Sequence, residues 1–367
     1  MPREPSDHDH GPGGADGDTP GGCPPVSGLA RRTRRALVVV NPVAGGSPLV
    51  VAETVVDQLG REGFDVTRLP TARRGEVVET VTETVRRAAC RGEALDLVMA
   101  VGGDGTVREV AEGIVRGTGR WPGDGRPTEL VGREAPALFA APGGTGNSFY
   151  RALFADTPVE EALGMVLGED HTGARIRWLD IGRLVERDQA VVLGASAGFL
   201  ASVLDAARAT SRVTGRRRYE QAALELIGRS DALGTDARVF VNGELLVEGR
   251  LLLVALGGAR HRGGSFELLP GSVLDDGLFD VCAIKMTSSA RLGELLLAVA
   301  AGMHLKEPEV TSAKGRTVTI EAIGDQPVPV EFDGDVVNGP ASPVRTVTFD
   351  VIGGALAVWA GDPPPAG

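Results

Sequence analysis

The sequence predicts an α/β chain with an N-terminal parallel-sheet unit followed by a mainly antiparallel, β-sandwich-like unit. Three observations carry that expectation. Over residues 36–155, short continuous apolar runs alternate with segments of helical periodicity. From about residue 175, strand-like runs follow one another across short turns. Three glycine-bearing loops, at 41–46, 102–106 and 143–147, each follow an apolar run of the first unit. Strand–helix alternation implies a parallel sheet covered on both faces, and strands of such a sheet read as continuous apolar runs.

The first strand is ALVVV at 36–40. Ser47-Pro48 then supplies an N-cap and an N1 proline for a helix whose inward stripe is Val51, Val55, Val56 and Leu59. FDVTRLP (64–70) is the next strand, and the helix over 75–91 carries Val77, Val78, Val81, Val85 and Ala88. LDLVMAV (95–101) runs into GGDGTVREV, with a helix continuing through Val107, Val110, Ala111 and Ile114. A glycine- and proline-rich loop spans 117–134, long enough for a flap or an insert. PALFAAP (136–142) is the fourth strand and leads into GGTGNSFYRAL. Ligands of such sheets sit beyond the carboxyl ends of the strands, so the three loops should converge on one rim.

In the second unit RIRWLDIGRLV, QAVVLGASAGF, ARVFVNGELLVEGRLLLVALGGA, LFDVCAIK, RTVTIEAI, VPVEFDGDVV and VRTVTFDVI read as strands, with NGE at 242–244 as a hairpin signal. Helices are expected near 201–230 and 290–304, and ALAVW (355–359) is expected to return to the first unit. The organisation is therefore a polar tail (1–32), a first domain (33–178), a second domain (179–350), a returning strand (351–361) and a short tail (362–367).

Composition narrows the function. The 367 residues hold 38 basic and 49 acidic side chains, a net charge of -11, which supplies no broad surface for nucleic acid. Basic clusters at Arg31, Arg32, Arg34, Arg35 and at Arg216, Arg217, Arg218 read as solvated charge or as contacts to an anionic membrane surface. Cys23, Cys90 and Cys282 form neither a disulfide framework nor a zinc pattern. The N-terminal stretch, with His8 and His10 among aspartates, reads as a disordered polar tail rather than a signal peptide. Apolar runs such as LLLVALGGA are too short to span a bilayer. The expectation is a cytosolic enzyme that reaches any membrane substrate from the water side.

The loops carry the chemistry. Gly102, Gly103 and Gly105 allow positive φ and remove side chains that would block a ligand, so backbone N–H groups can face an anion at a helix N-terminus. The P-loop pattern is absent, and G-x-G-x-x-G from Gly103 fails at Arg108. Thr145 and Asn147 offer a hydroxyl and an amide, and Asn41 a side chain for neighbouring backbone or a ribose. Asp104 cannot touch phosphate directly and makes sense through magnesium and its waters.

NPVAGG, GGDGTVREV and PGGTGN, in this order, resemble the diacylglycerol kinase-type lipid kinases, a superfamily that includes sphingosine and ceramide kinases. The resemblance is greatest to the soluble bacterial branch and extends downstream through WLDIGR (178–183), GASAGFLASV (194–203), Arg218-Tyr219, PGSVLDDGLFDV (270–281) and EFDGD (331–335). It implies ATP and Mg2+ as cofactors and a lipid alcohol, foremost diacylglycerol, as acceptor at the membrane surface. It implies that Asn41, Thr71, the stretch Gly102, Gly103, Asp104, Gly105, Thr106, Val107, Arg108, and Thr145 bind ATP, with Asn147 beside them. A structural magnesium would sit on the Asp276 side chain with backbone help near Val273 and Leu278, and Asp180 could join that network. The general base would be Asp335, where the family usually has glutamate, with Asp333 as the second carboxylate. Three alternatives stand beside this reading. An NAD kinase-like enzyme shares the GGDG loop. A nucleotide-binding regulator would suit the shortened base. A hydrolase would use Gly194–Gly198 as G-x-S-x-G, with His261 or His304 downstream. A homodimer is one assembly the sequence leaves open.

Overall fold

The computed structural model of the chain describes residues 33–71, 73, 75–123, 135–168, 173–209, 217–227, 234–260, 267–337 and 344–361. The two tails with His8, His10 and Cys23, the 124–134 part of the long loop, Arg31, Arg32, Arg216 and His261 lie outside the described residues.

Strands β1 (Arg35–Val40), β2 (Asp65–Pro70), β3 (Leu97–Gly102) and β4 (Ala137–Pro142) form a parallel sheet in the order β2-β1-β3-β4. The central strands are buried along their length because helices cover both faces, whereas β2, at the edge, alternates toward solvent. Helix α1 (Pro48–Arg61) buries Val55 and Leu59 of its expected stripe together with Ala52, leaving Val51 and Val56 half-buried, and α2 (Glu76–Cys90) buries Val77, Val81 and Val85 with Val78 and Ala88 half-buried. Helix α3 (Asp104–Gly117) is different, being buried almost all round. On one side Gly113 and Gly117 let it press against α2, where an added Cβ would come within 2.7 Å of Val81 and Val85. On another side it faces the second unit, where Arg108 meets Asp335 and Glu112 accepts Ala190 N–H, so these polar side chains are buried too, while Glu109, also buried, accepts Gly75 N–H at the start of α2. Two further helices follow, α4 (Ser148–Phe154) and α5 (Val159–Leu167). The second is absent from the expected elements, although Val159, Ala162, Leu163 and Val166 make its buried stripe.

Two long strands join the halves. β5 (Ala174–Leu184) and β15 (Thr346–Gly361) pair antiparallel along most of their length, with a bulge between Ile352 and Leu356. β15 also pairs parallel with β4 at Val358 and Leu138, and antiparallel with β12 (Thr317–Ala322). Residues 178 and 350 fall inside these strands, so the sheet is continuous across both expected borders. From β12 it runs on through β8 (Thr235–Val241), β9 (Glu244–Gly257), β7 (Gly194–Gly198), β13 (Val330–Phe332) and β14 (Asp335–Val336). β10 (Phe279–Lys285) and β11 (Val310–Gly315) branch from β9, and β6 (Gln189–Val191) pairs with β5.

Two expectations need correction. The strand read through QAVVLGASAGF breaks between β6 and β7, because the N–H groups of Val192, Leu193 and Gly194 turn to the Asp333 carboxylate instead of a neighbouring strand. The single helix read over 201–230 is two, α6 (Phe199–Ala209) and α7 (Arg217–Ile227). Helix α8 (Ser289–Ala300), capped by the Ser288 hydroxyl, buries Leu292, Leu295 and Val299 and leaves Leu297 exposed. Core packing thus accounts for one face of this apolar helix.

Candidate active site

The carboxyl ends of β2, β1, β3 and β4 carry Thr71, Asn41, Gly102–Gly103 and Gly143–Gly144 in that spatial order. The three glycine loops converge there, as expected, and they converge in direct contact. Gly143 N–H donates to Gly102 O (2.9 Å), and Gly46 N–H to Gly143 O (3.2 Å). A Cβ on Gly144 would lie 2.4 Å from Gly103 Cα, and one on Gly46 2.8 Å from Gly143 O. None of Gly102, Gly103 and Gly105 takes a positive φ. Conformational freedom is therefore not what these positions use. Gly46, Gly143 and Gly144 are glycine because backbone packs on backbone, Gly102 because a Cβ there would lie 2.6 Å from the Thr106 hydroxyl, whereas a Cβ on Gly105 would meet nothing within 4 Å.

Around this knot the predicted ATP residues divide into two sets. Asn41 Nδ2 donates to Thr106 Oγ1 (3.1 Å), while its Oδ1 accepts from Val43 N–H (3.2 Å), which locks the first loop to the start of α3. Thr71 N–H bonds Val40 O (2.8 Å) beside them, and Thr145 is exposed on the third loop. Thr106 and Val107 bury their side chains, so they can offer only backbone to a ligand. Asn147 departs from its expected role. It sits at φ 51° with both ends of its amide bonded to the backbone of Gly144, so it shapes the loop. Asp104 also acts locally. Its Oδ1 and Oδ2 accept the N–H groups of Phe149 (2.9 Å) and Ser148 (3.1 Å) at the start of α4. That is the capping use of aspartate, and it ties the second loop to the third.

Arg108 is engaged by the second unit. Its side chain is 6% exposed, and Nη2 lies 2.9 Å from Asp335 Oδ2. Its guanidinium also lies over the Phe332 ring, 5.0 Å from the centroid. Asp335 Oδ1 takes Arg208 Nη2 at 3.2 Å, a partner on α6 that no motif marked. The turn that delivers Asp335 follows from its sequence. Asp333 (φ 46°) and Gly334 (φ 81°) are the two central residues between β13 and β14, and Phe332 pairs with Asp335. Asp-Gly with two positive φ values is the chemistry of a two-residue hairpin turn. Asp333 itself is buried and accepts from Val192 (2.7 Å), Leu193 (2.8 Å) and Gly194 (3.2 Å). The second carboxylate is thus a backbone anchor, while Asp335 faces α3.

The expected magnesium set gathers at one turn but is already bonded. Asp276 Oδ1 accepts Leu278 N–H (3.0 Å), and its Oδ2 lies 2.9 Å from Lys314 Nζ. Asp180 Oδ1 accepts Gly354 N–H (2.8 Å), and Oδ2 accepts Gly277 N–H (2.6 Å). Val273 flanks the turn with an exposed side chain. Magnesium demands six close oxygens in octahedral array. Among the described residues no cluster of three or more His, Cys, Asp or Glu side chains is arranged to hold a metal ion. The donors do not fit a magnesium ion at this turn, because an ammonium group stands on Asp276.

The hydrolase alternative fails on geometry. Ser196 is fully buried, and its hydroxyl donates to Glu331 Oε1 at 2.6 Å. His304 is held by Leu268 O at 3.1 Å, and burial pushes its imidazole below the usual value. No described histidine meets the serine.

Comparison with known proteins identifies both units. Residues 35–177 match the family described as diacylglycerol kinase catalytic domain, and residues 194–360 match YegS C-terminal NAD kinase beta sandwich-like domain. The chain carries a diacylglycerol kinase catalytic domain followed by a YegS-type C-terminal domain. It is 25% identical over 304 residues to a diacylglycerol kinase of Staphylococcus carnosus (strain TM300), covering 82% of this chain and 89% of that one. It is 26% identical over 301 residues to a diacylglycerol kinase of Staphylococcus saprophyticus, covering 81% of this chain and 88% of that one. The fold is similar to the crystal structure of a diacylglycerol kinase from Bacillus anthracis str. Sterne, with a TM-score of 0.59 at 19% identity over 91% of this chain and 98% of that one. A second structure from the same organism gives a TM-score of 0.64 at 21% identity, over 92% and 98%. Among the described residues no helix is long and apolar enough to cross a membrane.

Proposed function

We propose that this protein transfers the γ-phosphoryl group of ATP, as its magnesium complex, to the hydroxyl of a lipid alcohol, with diacylglycerol as acceptor and phosphatidic acid as product. The observation that carries the reading is the Arg108–Asp335 pair, which brings a carboxylate of the antiparallel region onto the helix that starts at the GGDG loop. A phosphoryl donor and an alcohol acceptor must meet in such a place.

The loop knot and the N-terminus of α3, with Gly103 at its cap, suit the triphosphate, since N–H groups and the helix dipole favour anions there. Asn41, Thr71 and Thr145 border that surface. ATP-bound magnesium supplies charge neutralisation on the moving phosphoryl group. Asp104 holds the second and third loops together. Asp335 takes the proton as the acceptor oxygen bonds phosphorus and the bond to the ADP oxygen breaks. Aspartate is one methylene shorter than the glutamate usual in the family, and the hairpin with its two arginine partners sets where that shorter carboxylate stands. The acceptor is reached from the water side at the inner face of the membrane, and the exposed Val43, Leu49 and Val50 beside the first loop suit an apolar neighbour.

The test is mass spectrometry of lipids phosphorylated by the purified protein with ATP and magnesium, diacylglycerol and NAD being offered in the same reaction. Phosphatidic acid is the expected product. Phosphorylated NAD alone would replace this reading with the NAD kinase-like one, and no phosphorylated product with bound nucleotide would favour a regulator.

A further inference from the structure

Lys314 occupies an unusual place. It lies on β11 directly opposite Asp280 of β10 in the antiparallel register. From there its Nζ reaches Asp276 Oδ2 at 2.9 Å and Asp280 Oδ2 at 3.1 Å. Those carboxylates are largely shielded, with side-chain exposures of 27% and 15%. The neighbouring Asp275 is paired with Arg177 at 2.7 Å, and Asp180 binds two backbone N–H groups of the same region. Every carboxylate around the 275–280 turn therefore has a partner supplied by the chain.

We infer that Lys314 is a built-in cation that replaces a structural magnesium ion at the Asp276 turn. Lys314 and Arg177 together bring two positive charges to the turn, the charge of one magnesium ion, and the strand register delivers the ammonium without any binding equilibrium. A metal there would have to displace an ion pair with two carboxylates and shed its own tightly held water. The turn is thus closed and ordered at any magnesium concentration, and the requirement for magnesium is confined to the nucleotide. The comparison with a structural magnesium rests on the family reading. Unfolding measurements need neither nucleotide nor lipid, so the inference can fail while the kinase reading stands, and the reverse.

The experiment is thermal unfolding of the full chain, free of nucleotide, in EDTA and then in millimolar MgCl2. The native protein is expected to show the same midpoint in both. Lys314→Ala leaves Asp276 and Asp280 facing each other without a cation, so its midpoint falls in EDTA and recovers with magnesium, while Lys314→Arg stays insensitive. The inference is overturned if the native midpoint rises with magnesium as much as that of Lys314→Ala, or if neither responds. Should Lys314→Ala fail to fold, manganese binding to the native chain decides by electron paramagnetic resonance. No bound Mn2+ that is lost on Asp276→Asn supports the inference, and one equivalent bound through Asp276 overturns it.

Discussion

Asp335 Oδ2 and Arg108 Nη2 stand 2.9 Å apart across a sequence separation of 227 residues. The contact joins the start of α3 to the hairpin after β13, so it couples the two halves at the point where chemistry is proposed. If Asp335 is the proton acceptor, Asp335→Asn lowers turnover by roughly 10²–10⁴-fold. The same change leaves a buried guanidinium opposite a neutral amide, so a stability loss of about 3 kcal/mol accompanies it. Turnover is therefore to be normalised to folded protein, and Asp335→Glu, which keeps the charge, should retain activity. Full normalised turnover in Asp335→Asn would remove Asp335 from the reaction.

Asp333 should behave differently although it is two residues away. Its carboxylate holds three consecutive N–H groups where β6 gives way to β7. Asn offers one acceptor oxygen and sets N–H against N–H on the other side. Asp333→Asn is expected to cost about 1–3 kcal/mol in urea unfolding, with normalised turnover changing less than for Asp335→Asn. An unchanged unfolding midpoint with abolished turnover would return Asp333 to the role of base.

The sequence shows some of this readily and some not at all. The parallel strands are legible because burial on both faces demands continuous apolar runs, and Val38, Val39, Val98 and Met99 are indeed wholly buried. The convergence of the loops follows from strand order alone. What the glycines do is not legible, since the packing of Gly144 on Gly103, so close that an added Cβ would lie 2.4 Å from Gly103 Cα, is tertiary information. For the same reason local motifs could not show Asp104 capping α4, Asn147 closing its own loop, Arg108 pairing with Asp335, or Lys314 reaching Asp276. The Asp-Gly pair at 333–334 did carry a signal for the hairpin, and the three-and-four spacing of apolar residues at 159–166 one for α5.

The glycine knot can be tested by contrast. Gly144→Ala drives a Cβ into the Gly103 backbone, which cannot yield as a side chain would. The second and third loops must part, so KM for ATP should rise by at least roughly tenfold, the effect of about 1.4 kcal/mol. Gly105→Ala adds its methyl to open space at ordinary φ within α3, so it should not lower the unfolding midpoint. Its KM for ATP then reports whether that open space is where phosphate binds. Equal unfolding midpoints and equal KM for Gly144→Ala and native protein would show that the loops do not need this close approach.

Stability in acid depends in part on Asp188. Burial opposes the charge on this side chain, yet hydrogen bonds from Arg116, Trp121 and Arg183 hold its carboxyl down at about 2, against an ordinary 3.8. Those bonds tie α3 and the Trp121 segment to the end of β5. A folded-state pKa below the unfolded one means that the contribution is fully present above the ordinary value and is lost as pH falls through about 2. Half-exposure of the side chain makes the contribution modest. The urea midpoint of native protein minus that of Asp188→Asn should be constant above about pH 4 and shrink between about 4 and 2. A difference that stays level through that window would mean that the three donors do not stabilise the ionised form.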